Sequence, residues 1–353
     1  MSARRQPERF WVGTYPRGGP EGEPGTGEGI WRLDRNREGS LSALLAAPLP
    51  APSFLALTPD GTTLYAATET PSGTVTRLAV SPDGDLVELE RVASGGDEPC
   101  HLLLTERALY VANYASGSVG VLTLDDGAFS AEVVRAGGPV QLMQHAGSGP
   151  DAGRQEGPHA HSTLLAGPWL LAADLGTDEI VRYRVHDDGR LTADGVAHGL
   201  PPGTGPRHMA LGDDGRLYVV GELSVTVHVL ALDTVRGVAT AVQVVPACHS
   251  PLVTGARVLP AHVVVNGDEV LVSVRGADVI ARFAMDEHGR LEHVADLAVG
   301  GGWPRHFAVV DDGVIVAVQN GGVVSLLDRE GRGIGVALDH PACVVPAPHG
   351  MSG

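Results

Sequence analysis

The chain has 353 residues, 43% of them hydrophobic, with 25 basic against 42 acidic side chains and a formal charge of −17. That length exceeds one ordinary core, so two domains or one large repeat architecture is expected, and the apolar fraction argues against wholesale disorder. No lysine occurs, which excludes a phosphate loop ending in lysine, a Schiff-base lysine and a pyridoxal-phosphate anchor; the negative balance speaks against a nucleic-acid or anionic-membrane partner.

In chain order, the first expected strands are 10–14, 30–33 and 41–46. A short anchor then recurs: a proline, any residue, then histidine or an apolar residue that opens an apolar strand. It stands at Pro52, Pro99, Pro206, Pro260 and Pro304, with looser copies at Pro158 and Pro341. The seven anchors are spaced roughly every 48 residues, a period that signals repeats rather than separate domains. Within the Pro99 copy, strands are expected at 102–104, 109–113, 119–124 and, as the fourth, Glu132-Val133-Val134. Asp-Gly turns punctuate the copies at Asp60-Gly61, Asp83-Gly84, Asp126-Gly127, Asp188-Gly189, Asp214-Gly215 and Asp312-Gly313. No segment carries a clear 3.6-residue apolar period.

Four short strands per copy and seven copies describe an all-β, seven-bladed β-propeller forming one domain over 1–353. The last anchor supplies a single strand, and the first three strands of the chain complete its blade. The ring is thus closed by one C-terminal strand and three N-terminal strands, without open edges, so a monomer is expected. The starts of the first strands and the ends of the second share one mouth of the central channel. The second-strand ends fall at Tyr15, Glu69, Asn113-Tyr114, Asp174, Glu222, Arg275 and Asn320. Long irregular loops at 16–28, 138–158 and 246–259 open on the same face, and loops of that length are often functional.

The stretch from His145 to His161 gathers His145, Arg154, Glu156, His159 and His161 on that face. Arg207, Arg275 and Arg305 add guanidiniums suited to bidentate binding of a carboxylate or phosphate. His161 and Glu222, in neighbouring blades, are candidates for general acid or base. His101, His208, His262 and His306 occupy equivalent positions, where they serve either as site residues or as hydrogen-bonded bridges between blades. No metal is expected: there is no calcium-loop spacing and no His-Glu-x-x-His, and His159 and His161 are expected to diverge; without a Gly-x-Ser-x-Gly elbow a serine hydrolase is unsupported too. Cys100, Cys248 and Cys343 are odd in number and scattered, as small buried residues of a cytosolic protein would be. With no apolar run of spanning length and no secretory h-region, a cytoplasmic location is expected.

These motifs, in this order, resemble the seven-bladed propeller lactonases, which include the bacterial propeller-type 6-phosphogluconolactonase and the fungal carboxy-cis,cis-muconate cyclase. The resemblance covers essentially the whole chain. It rests on Val12-Gly13-Thr14-Tyr15, Pro99-Cys100-His101, Val111-Ala112-Asn113-Tyr114, Arg154-Gln155-Glu156 with Pro158-His159 and His161, Asp174 to Asp178, Gly205-Pro206-Arg207-His208 and Pro304-Arg305. It implies a catalytic group of one histidine (His161, or alternatively His159), Arg207, Glu222 and Arg275, acting without cofactor on a small anionic lactone. His101, Arg154, Glu156, His159, His208, Arg305 and His306 are then expected to bind substrate. The chain departs from the family pattern at Gly221 for Asn, Val274 for Asn, and His262 for Glu. The implied activity is hydrolysis of 6-phosphogluconolactone. A lactonising cycloisomerase with the same residues and a non-catalytic binding platform are the alternatives.

Overall fold

A computed structural model describes residues 7–15, 29–250 and 257–348. Seven antiparallel sheets stand in a ring, six of them four-stranded. The innermost strands are Pro52–Leu57, Pro99–Leu104, Ala160–Ala166, Pro206–Leu211, Leu259–Asn266, Pro304–Val310 and Pro341–Pro346, in blades 1 to 7. Each inner strand touches the next, and the last touches the first. Blade 7 pairs Pro341–Pro346 with Glu8–Thr14, then Ile30–Arg35 and Leu41–Ala47, so both chain ends close the ring as the sequence predicts. The expected loop 16–28 and part of the 246–259 loop lie outside the described residues.

The apolar pattern explains the layering. Second strands such as Ala108–Asn113 and Trp169–Asp174 are buried along their whole length, because blades pack on both faces. Outer strands such as Leu191–Gly199 are largely exposed and correspondingly polar. Among the described residues, seven apolar clusters fill the seven interfaces between neighbouring blades, built mainly of Val, Leu and Ala. The hairpin turns also latch blades together. The hydroxyl of Tyr65 donates to Gly127 O, that of Tyr110 to Gly189 O (2.9 Å) and that of Tyr218 to Gly289 O (3.0 Å). Each glycine has positive φ, which favours a residue without Cβ.

One expected strand is a helix. Glu132-Val133-Val134 lies in Ala131–Ala136, where Ser130 caps by accepting from Val133 N and Gly137 (φ 68°) ends the turn. The local capping residues outweigh the β-branched pair. The outer strand of blade 2 is instead Gln141–Gln144, paired with the 118–121 part of Ser118–Asp125.

Candidate active site

The site is made by an irregularity repeated in every blade. Where each inner strand begins, the ladder carries a bulge beside the anchor: Pro52 opposes Thr68 and Phe54 opposes Ala67, Pro99 opposes Asn113 and His101 opposes Ala112, Pro304 opposes Val318 and His306 opposes Ala317. The extra residue is left unpaired and re-aimed, as bulges do. It is Ser53, Cys100, His161, Arg207, Ala261, Arg305 and Ala342 in blades 1 to 7. The register also corrects one anchor: Ala160, not Pro158, opposes the second-strand end, at Asp174. His161 is therefore the counterpart of Arg207 and Arg305, while His159 precedes the anchor.

The residue that follows the anchor's partner completes the ring. It is Tyr15, Glu69, Tyr114, Leu175, Glu222, Arg275 or Gln319, one place beyond the expected Asp174 and one before the expected Asn320. Gln319 is buried and Asn320 exposed.

A cavity of about 450 Å³ opens there, lined by Glu69, Cys100, Tyr114, Gly153, Arg154, Glu156, His159, His161, Arg207, Glu222, Arg257, Arg275 and Arg305. Eight residues expected from sequence thus meet in it: His161, Glu222, Arg207, Arg275, Arg154, Glu156, His159 and Arg305. Both histidines face the cavity, contrary to the expected divergence, because His159 precedes the strand and His161 is the residue that the bulge re-aims. Among the described residues, no group of three His, Cys, Asp or Glu side chains is arranged to hold a metal ion.

Glu222 is the hub. Its Oε1 accepts from Arg154 Nη2 at 2.5 Å, and its Oε2 accepts from Arg275 Nη2 at 2.7 Å with Arg207 Nε at 3.0 Å. The Arg207 contact is an ion pair rather than an aligned hydrogen bond, because that Nε has no bonding partner. Arg207 Nη1 donates to Ala261 O (2.6 Å) and Arg275 Nε to Leu259 O (3.1 Å), which fixes both forks. Burial alone would raise the Glu222 carboxyl, but Arg275, Arg154 and Arg207 outweigh it and hold it well below the carboxylate range. Burial and the neighbouring Arg275 and Arg305 bring Arg207 down to about 9. Burial and Arg207 push His161 well below its usual value, so its ring is neutral.

A second cluster lies in the same wall. Arg305 stacks over the Tyr15 ring at 4.3 Å and lies 3.7 Å from Glu69 Oε1, which also accepts from the Tyr15 hydroxyl. His159 stacks on Tyr114 at 4.5 Å and contacts Glu156 at 3.4 Å. Cys100 sits 3.7 Å from His161 Nδ1, and burial, then Glu69, push its thiol up, leaving it protonated.

His101, His208 and His306 do not line this cavity. With Phe54 and His262 they fill the channel beneath it as a plug of touching rings: Phe54–His101 centroids are 4.6 Å apart, His101–His208 5.5 Å and His262–His306 4.0 Å. All four imidazoles are neutral. Burial depresses His101 and His306 to about 3 and His208 and His262 well below normal, which suits the 2.8 Å Nδ1–Nδ1 contact of His208 with His262. The family departures fit this setting. His262 belongs to the plug, Val274 to an apolar cluster, and the space at Gly221 is taken by Thr204, Ser224 and Thr226. Sequence reasoning placed Glu69 and Tyr114 at second-strand ends on this mouth without giving them a role, and missed Cys100, Gly153 and Arg257 as lining residues. The second-strand rule marks Glu69 and Tyr114, whereas Arg257 sits in a loop with no pattern.

The profile of the family described as "Lactonase, 7-bladed beta-propeller" matches residues 9–348. A 6-phosphogluconolactonase of Bacillus subtilis is 32% identical over 95% of this chain and 97% of its own. The crystal structure of a periplasmic gluconolactonase of Pseudomonas aeruginosa superposes with a TM-score of 0.84 at 27% identity, covering 97% of this chain and 99% of that one. A Lactobacillus plantarum protein superposes at 0.85 and 26% identity, over 97% and 100%. The chain belongs to the seven-bladed β-propeller lactonase family.

Proposed function

We propose that this protein is a metal-independent cytoplasmic lactonase whose substrate is a sugar-acid lactone bearing an anionic group, first of all 6-phosphogluconolactone. The observation that carries the reading is charge. Five guanidiniums (Arg154, Arg207, Arg257, Arg275 and Arg305) face three carboxylates (Glu69, Glu156 and Glu222) in the wall of a cavity, in a chain of formal charge −17. A phosphate dianion would balance that local excess, and planar guanidiniums match phosphate oxygens in pairs. The name of the Bacillus subtilis relative supports the same substrate.

In this reading the sites divide by depth. Arg154, whose side chain is 23% exposed, and the exposed Arg257 receive the phosphate near the mouth. Arg207 and Arg275, 3% and 2% exposed, face the ring ester and stabilise the oxyanion formed when water attacks. Glu222 holds these forks in place. Neutral His161 offers a hydrogen bond that orients the lactone. With both oxygens covered by guanidiniums, Glu222 is a weak proton acceptor, and His161 is one too.

The test is acid release from freshly generated 6-phosphogluconolactone, after subtraction of its spontaneous opening, with and without a chelator. Chelator-insensitive catalysis supports the reading. No rate above background removes the phosphosugar assignment. Catalysis confined to unphosphorylated gluconolactone, the substrate named for the Pseudomonas aeruginosa neighbour, would move the substrate to that compound.

A further inference from the structure

The cavity holds a second carboxylate in the register position of Glu222. Glu69 N donates to Ala51 O (2.9 Å) as Glu222 N does to Gly205 O (2.8 Å), so the two are counterparts in blades 1 and 4. Their surroundings differ. Glu222 spends both oxygens on guanidiniums, whereas Glu69 engages only Oε1, with Tyr15 and Arg305. Glu69 Oε2 is buried and has no hydrogen-bond partner among the described residues, although Glu69 as a whole is only 7% exposed. A buried, unmatched carboxylate oxygen is costly and calls for a physical reason.

The surroundings of Glu69 supply one. It lines the main cavity and also a small chamber behind it, bounded by Ser53, Cys100, Arg207 and Arg305 on one side and by Ala342 and the plug rings Phe54, His208 and His306 on the other, that has room for about one water molecule. The Ser53 hydroxyl, on the bulge of the same blade, is likewise buried without a partner. Glu69, Ser53 and two guanidiniums thus line one chamber of water size that adjoins the cavity.

We propose that Glu69 is the general base of the reaction, a role that rests on the lactonase reading above. Water gives a proton to Glu69 Oε2 as its oxygen forms the bond to the lactone carbonyl carbon. The carbonyl electron pair moves to the oxyanion held by guanidiniums. As the pair returns, the ring C–O bond breaks and the departing oxygen takes the proton back from Glu69. The products are a hydroxyl and a carboxylic acid, which loses its proton to solvent, and Glu69 is restored. Tyr15 and Arg305 hold Oε1 and leave Oε2 for this exchange.

The experiment compares the wild type, Glu69→Gln and Glu69→Ala in lactone hydrolysis, with thermal unfolding as a check on folding. Glu69→Gln keeps the acceptor for Tyr15, so it is expected to melt near the wild type, hold KM within about threefold and lose about 10²–10⁴ in kcat. Added formate, a carboxylate small enough for the vacated space, is expected to raise kcat of Glu69→Ala by at least about tenfold, since the lost group is a proton acceptor. A Glu69→Gln enzyme within about threefold of the wild type overturns the assignment, as does a Glu69→Ala enzyme that formate does not revive. If the wild type itself hydrolyses no lactone, the function fails first, and this role with it.

Discussion

Glu222 gathers three arginines from three different parts of the chain, and the consequence at the residue scale is energetic as well as chemical. Removing its charge leaves Arg154, Arg207 and Arg275 crowded around a neutral amide. Breaking a buried charge cluster from one side typically costs about 3–5 kcal/mol. Glu222→Gln is therefore expected to lose stability of that order in urea titration, together with lactonase activity. A variant as stable as the wild type would mean that the guanidiniums do not need this carboxylate to stay in place. Much of this was legible in sequence: arginines after an anchor and acids at a second-strand end are positional signals that need no coordinates. What was hidden was the bulge. It shifts each strand start by one residue, which is why His161 is the equivalent of Arg207; Glu69 was legible as the counterpart of Glu222, but its unpartnered oxygen was not.

At the scale of elements, the 145–159 segment carries Arg154, Glu156 and His159 into the cavity, and Asp174 pins it down. Asp174 Oδ1 accepts from the backbone N–H groups of His159, Gly176 and Thr177, and Oδ2 pairs with His145 Nδ1 at 2.5 Å. Gln155, fully buried, ties the segment to Leu175 O at 2.9 Å. Asp174 touches none of the cavity, so it positions residues rather than acting on substrate. Asp174→Ala is expected to lower kcat/KM by about 10–100-fold, mainly through KM, because Arg154, the proposed phosphate ligand, is displaced first. Unchanged KM with a lower melting temperature would reduce Asp174 to a purely structural role. The sequence pointed to this segment through its departure from the repeat. It did not reveal the Asp174 clamp or the helix Ala131–Ala136, because both depend on local caps and loop hydrogen bonds rather than on apolar periodicity.

For the whole molecule, the repeat spacing gave the seven blades and their closure, since a period and a count are topological facts. It did not tell what fills the channel. Four neutral imidazoles there make the fold sensitive to acid. Each is depressed in the folded state, to about 3 for His101 and His306, against about 6.5 in an unfolded chain. Below pH 6.5 the unfolded chain binds protons that the native state refuses, so stability is full above that pH and is lost progressively down towards pH 3. Urea midpoints are expected to fall between pH 7 and pH 5, before the carboxylates begin to titrate. His101→Phe is expected to flatten the slope by up to about 1.4 kcal/mol per pH unit, one proton's share. A midpoint constant over that interval would contradict the buried neutral plug.

In the proposed function, the locally positive cavity of this acidic protein selects an anionic lactone. The most direct measurement is the ratio of kcat/KM for 6-phosphogluconolactone over gluconolactone in the wild type, at low and at moderate salt. A ratio of about 10² or more is expected at low salt, contracting as ionic strength rises, because part of the selection is made by charges near the mouth. Equal values for the two lactones, unaffected by salt, would contradict it.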